Sequence, residues 1–177
     1  MKSLPLQWSV DINKVSRTTP AIYSYEAGSG ELEAIKDYAG IEDLTNFKAQ
    51  VEIAALAGGR FRVSGTLSAS LVQASVVDLK AVPSHFSESF SVEYWPAEAL
   101  GGAEGDAVPF DADPPEPIAG GRIPIGELLC ELFLVSIDPY PRNEGDSFEW
   151  KPARNEPEAS PFAGLAQLRP GKDRVQD

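Results

Sequence analysis

Two alternating runs meet at Gly58-Gly59, and nothing else in the chain narrows the fold as much. In Phe47–Leu56, the side chains of Phe47, Ala49, Val51, Ile53 and Ala55 fall on one side, while Lys48, Gln50 and Glu52 fall on the other. In Arg60–Gln73, Phe61, Val63, Leu67, Ala69 and Leu71 point one way, while Arg60, Arg62, Ser64, Thr66, Ser68 and Ser70 point the other. A period of two means strands. Two such runs around Gly-Gly predict an antiparallel hairpin with one buried and one wet face. His85–Trp95 predicts another strand of the same sheet, with Phe86, Phe90, Val92 and Tyr94 on one face.

Further elements surround this centre. Leu4–Ile12 alternates, with Leu6, Trp8, Val10 and Ile12 on one side, and predicts a half-buried strand. Ala21–Ala27 is a second short strand candidate. Ser29–Gly40 reads as a helix capped by Ser29, with Leu32, Ile35 and Ala39 on one face and Gly40 at its end. A later helix is marked by Ile125, Leu128, Leu129, Leu132 and Phe133, spaced i, i+3, i+4, i+7, i+8. Pro124 suits its first turn, and Glu127 and Glu131 share the opposite face. Pro139 and Pro141 in "DPYPR" end it at or before Ile137. The expected class is α+β: a mostly antiparallel sheet packed by a few helices. Residues 1–150 form the expected domain. Residues 151–177 read as a linker, a short amphipathic helix over Ser160–Leu168 and a tail.

Charge bears on partners. The net charge is −12, and it is uneven. Residues 1–96 hold 11 acidic and 8 basic residues, whereas residues 97–177 hold 16 and 7. Phosphate binding needs a basic footprint, so this chain suits a basic protein partner better than nucleic acid. Within Ala97–Pro117 lie six acidic residues and no Lys or Arg, among Gly, Pro and Ala. That composition predicts a mobile acidic loop, either a solvated insertion or a docking loop built on Asp111, Asp113 and Glu116. The N-terminus has one Lys and no apolar core of a signal peptide, and the single cysteine excludes an internal disulfide. Both point to a cytoplasmic protein with no membrane span.

Candidate chemistry is sparse. The only histidine, His85, starts a strand and has no legible triad partner. Cys130 sits beside the apolar stripe and near Glu127 and Glu131, a poor setting for a thiolate. No metal motif and no phosphate-cradling glycine motif occurs, so no cofactor is expected. Lys48, Arg60 and Arg62 on the wet hairpin face are the one local basic patch and an alternative RNA contact. Tyr140 and Arg142, which flank Pro141, offer an exposed anchor or a mere turn. A hydrolase using the loop carboxylates is the enzymatic alternative.

Three segments, read in order, resemble the YceD family of large ribosomal RNA subunit accumulation proteins. They are Val63–Pro96, Gly121–Gly145 with its "DPYPR", and Ser160–Leu168. The resemblance implies a non-enzymatic protein that supports the level of large-subunit ribosomal RNA. Its expected partner is a ribosomal protein or a ribosome-assembly intermediate. Many members carry C-x-x-C-L after the central hairpin. Here those positions read Ser75-Val76-Val77-Asp78-Leu79, which puts a thiol or metal role in doubt.

Overall fold

A computed structural model describes residues 4–100 and 114–145. In chain order the elements are strand β1 (Val10–Asp11), strand β2 (Ala21–Glu26), helix α1 (Ser29–Ala39) and the long strands β3 (Asp43–Ala55), β4 (Phe61–Ala74) and β5 (Ala81–Pro96). Then come the one-turn helix α2 (Ala97–Leu100), strands β6 (Glu116–Ile118) and β7 (Arg122–Ile123), and helix α3 (Ile125–Ser136). The main sheet has the order β2-β3-β4-β5-β6, and β1 pairs with β7 in a separate two-stranded ribbon. Every pairing in the main sheet is antiparallel except β5 with β6. The class is therefore α+β, with the β3–β4 hairpin central.

The hairpin follows from its alternation. Phe47 lies opposite Ala69, Ala49 opposite Leu67, and Ile53 opposite Val63, so the two apolar sets share one face. Gly58 and Gly59 carry the turn at φ 74° and 73°, a region that side chains with a Cβ rarely enter. Gly65 faces Val51 across the ladder. A Cβ there would lie 1.9 Å from the Gln50 carbonyl oxygen. The space left open by the missing side chain is covered by the Phe90 ring of the next strand.

Helix α3 closes the apolar face. Phe133 is fully buried, with its ring 5.6 Å from that of Phe47 and 6.0 Å from that of Phe86, centroid to centroid. The buried stripe is broader than the predicted one, because Gly126 and Cys130 are buried as well. The reason is a second layer: the segment that carries Leu6 and Trp8 lies against α3 at Gly126. The Gly126 N–H donates to the Trp8 carbonyl at 2.7 Å, and a Cβ on Gly126 would meet the Leu6 carbonyl oxygen at 2.5 Å.

Several expectations are revised by long-range contacts. Leu4–Ile12 is a strand only at Val10–Asp11, and it joins β7 rather than the main sheet. Its alternation reflects burial of Leu6 and Val10 in the core. Helix α1 is capped by Gly28, not Ser29: the Gly28 N–H donates to the Glu31 carboxylate at 2.9 Å. Ala97–Leu100 and Glu116–Pro117, expected within a loop, belong to α2 and β6. Residues 101–113 and 146–177, including the predicted Ser160–Leu168 helix, lie outside the described residues. The "DPYPR" segment is held to the β4–β5 turn. Gln73 donates its side-chain amide to the Asp138 carbonyl at 2.9 Å, and the Val76 N–H donates to the Pro141 carbonyl at 2.9 Å. Pro141 is buried between exposed Tyr140 and Arg142. The prolines stop α3 and direct the chain onto that turn.

Candidate functional site

The parallel pairing of β6 with β5 creates a groove that neither segment announces. β6 adds only three residues, with Glu116 opposite Tyr94 and Ile118 opposite Pro96. Partners in register project to the same face, so Glu116 joins Tyr94 on the side covered by α3. Helix α3 crosses that face and presents Glu127 and Glu131 one turn apart. The resulting groove holds about 550 Å³. Its floor is Val92, Tyr94, Leu128 and Leu132, and Glu116, Glu127 and Glu131 line it with carboxylates.

The electrostatics of the groove are strained. Burial first, then Glu127 and Glu116, push the Glu131 carboxyl above its ordinary value. Tyr94 is only 3% exposed, and burial followed by Glu116, Glu131 and Glu127 raises its phenol. Three like charges facing a partly dry floor destabilise the fold slightly and favour a cation.

A carboxyl whose folded pKa is raised costs nothing while it is protonated in both states. Its cost appears as pH climbs from the unfolded value through the folded one. Glu131→Gln should therefore raise the urea midpoint at pH 7. That gain should vanish below about pH 4, where glutamate is protonated in either state. A variant less stable than wild type at pH 7 would mean that the carboxylate is favourably paired.

The sequence-predicted residues do not converge on one place. Glu116 lies in the groove, whereas Asp111 and Asp113 fall outside the described residues. Tyr140, 73% exposed, and Arg142 sit beside the β4–β5 turn, at the opposite end of β5 from Glu116. The basic patch is not compact. Lys48 lies opposite Ser68 in the ladder, about 20 Å of strand from Arg62. Each of its cations is also engaged. Lys48 pairs with Glu26 at 3.0 Å, and Arg62 donates to Glu93 at 2.8 Å. The Arg60 guanidinium lies over the Trp95 ring, 5.0 Å from its centroid. His85 is exposed and shares a 3.0 Å hydrogen bond with the Ser70 hydroxyl. Cys130 is buried, and burial pushes its thiol up to about 11, which leaves it un-ionised at neutral pH.

No family model, curated protein or solved structure matches this chain. The site therefore stands on its own geometry. Among the described residues no group of three or more acidic, histidine or cysteine side chains is placed to hold a metal ion. Among the same residues no helix is long and apolar enough to cross a membrane. Where the resemblance would put two cysteines, Ser75 and Asp78 shape the β4–β5 turn. The Ser75 hydroxyl accepts from the Val77 N–H at 3.1 Å, and Asp78 pairs with Lys80.

Sequence reasoning missed Glu127, Glu131 and Tyr94 as site residues. The i, i+4 spacing of the two glutamates was a usable signal, since it sets both on one helix face. What that face meets depends on β6.

Proposed function

We propose that this protein is a non-enzymatic ribosome-biogenesis factor that supports accumulation of large-subunit ribosomal RNA. It acts by binding a basic ribosomal protein or an assembly intermediate. The observation that carries the binding half of this reading is the groove, where three carboxylates surround an apolar floor. A net charge of −12 draws a cationic partner towards it at long range. The ribosomal setting is supported by the resemblance of three ordered segments to the YceD family. Direct RNA binding through Lys48, Arg60 and Arg62 has weaker support, because those cations are dispersed and engaged.

The test is a pull-down of the tagged protein from growing cells, followed by affinity and rate measurements on the recovered proteins at low and high salt. A basic ribosomal protein should be recovered, and removing the factor should lower large-subunit RNA relative to small-subunit RNA. Neutralising Asp111, Asp113 and Glu116 together should slow association more than it speeds dissociation, with an effect that fades as salt rises. Tight binding of naked large-subunit RNA at physiological salt, with no protein present, would overturn the reading and turn attention to the Lys48, Arg60 and Arg62 face.

A further inference from the structure

We infer that the groove between α3 and the β5–β6 edge takes one face of an amphipathic helix from the partner, with lysine or arginine side chains set one turn apart over Glu127 and Glu131. The inference rests on the reading of a basic protein partner and specifies the chemistry of the contact. Three independent features of the groove lead to it.

The first is spacing. Glu127, Glu131 and Val135 follow one another at i, i+4 and i+8, a stripe that climbs about 6 Å at each step. A second helix lying along α3 repeats its own side chains at the same pitch. Cations recurring at i and i+4 on that helix meet both carboxylates without distortion.

The second is Tyr94. Its side chain is almost fully buried and lines the groove. Glu116, Glu127 and Glu131 all act on it. A lysine or arginine N–H that enters the groove donates to the phenol oxygen. The same cation then answers the phenol oxygen and the nearby carboxylates together.

The third is the apolar part. Val92, Leu128 and Leu132 accept the methylene stem of a long cationic side chain while its head reaches the rim. Val135, at the end of the stripe, is 80% exposed. A free polyamine fits the carboxylates and the floor but leaves Val135 bare. A helix covers it with the next apolar residue of its own stripe.

The test uses the full chain and a labelled synthetic peptide of about four helical turns. Lysines recur in it at i, i+4, and leucines at i+3, i+7. A second peptide has the same composition redistributed so that no face forms, and spermidine serves as a small competitor. Fluorescence anisotropy should show the first peptide bound at least about tenfold more tightly than the second. Glu127→Gln with Glu131→Gln should weaken it by at least about tenfold, since two charge-assisted contacts are lost. Tyr94→Phe should weaken it severalfold with thermal unfolding unchanged. Val135→Ser should weaken the peptide and leave spermidine unaffected. Equal binding of the two peptides would overturn the inference. So would spermidine displacing the peptide with no effect of Val135→Ser, which would mark a small polyamine as the occupant. If the peptide fails while the cellular pull-down still returns a basic ribosomal protein, only the groove assignment falls. If the peptide binds and the pull-down returns no such protein, the groove stands and the ribosomal reading falls.

Discussion

Phe133→Ala should destabilise the protein by about 3–5 kcal/mol, the range for emptying a phenylalanine site in a packed core. Phe133 is fully buried and is where helix and sheet meet. Its ring packs edge-on against Phe47 and tilts against Phe86, so truncation strips contacts from β3, from β5 and from the helix at once. The cavity cannot collapse easily, since α3 is also held from behind by Leu6 and Trp8. A loss of that size is comparable with the whole stability of many domains. Leu129→Ala should follow the same course at about 2–5 kcal/mol, because Leu129 is equally buried. Chemical denaturation checks both, and a midpoint equal to that of wild type would show that α3 does not close the core.

Gly65→Ala should be nearly as damaging, though it adds a single methyl group. The new Cβ would stand 1.9 Å from the Gln50 carbonyl oxygen and 3.2 Å from the Phe90 ring. The ring can shift, but the carbonyl is backbone of the central ladder and can move only by spreading β3 from β4. Overpacking commonly costs about 1–3 kcal/mol, and a clash with a fixed strand belongs at or above the upper end. The expected result is a fall of about 3 kcal/mol in unfolding free energy, with amide exchange accelerated first around Gln50 and Gly65. Phe90→Ala should cost less, since Phe90 only covers the glycine from an outer strand. Wild-type stability in Gly65→Ala would mean that the two strands approach less closely than described.

What the sequence makes legible divides along the range of the contacts. The hairpin could be read because Phe47 to Ala55 and Phe61 to Leu71 alternate within one continuous stretch. Helix α3 could be read because Ile125, Leu128, Leu129, Leu132 and Phe133 fill a single stripe. These are local periodicities, and tertiary packing agrees with them. The N-terminal segment misled because alternation reports one-sided burial and is silent about the neighbour. Leu6 and Val10 are buried although most of that segment joins no ladder. β6 and β7 are too short for any period, and their partners lie far away in the chain. The groove inherits that difficulty. Tyr94 could be assigned to the inner face of β5 and Glu116 noticed for its charge, but only the parallel pairing sets them side by side. Glu127 and Glu131 were legible as a polar helix face, and the wall opposite them was not.

The β1–β7 ribbon has a kinetic consequence. Val10 pairs with Ile123, and the Trp8 carbonyl accepts from the Gly126 N–H, so this N-terminal segment finds its partners more than a hundred positions later. Contacts of such high sequence separation must wait for their loop to close, and they slow folding relative to local ones. During synthesis the β3–β4 hairpin can pair long before α3 has left the exit tunnel. Until then the part of the apolar face that Phe133 and Leu129 cover stays bare, and Leu6 lacks its contact with Gly126. The nascent chain is thus most prone to association with its neighbours in the interval between the emergence of β5 and that of α3.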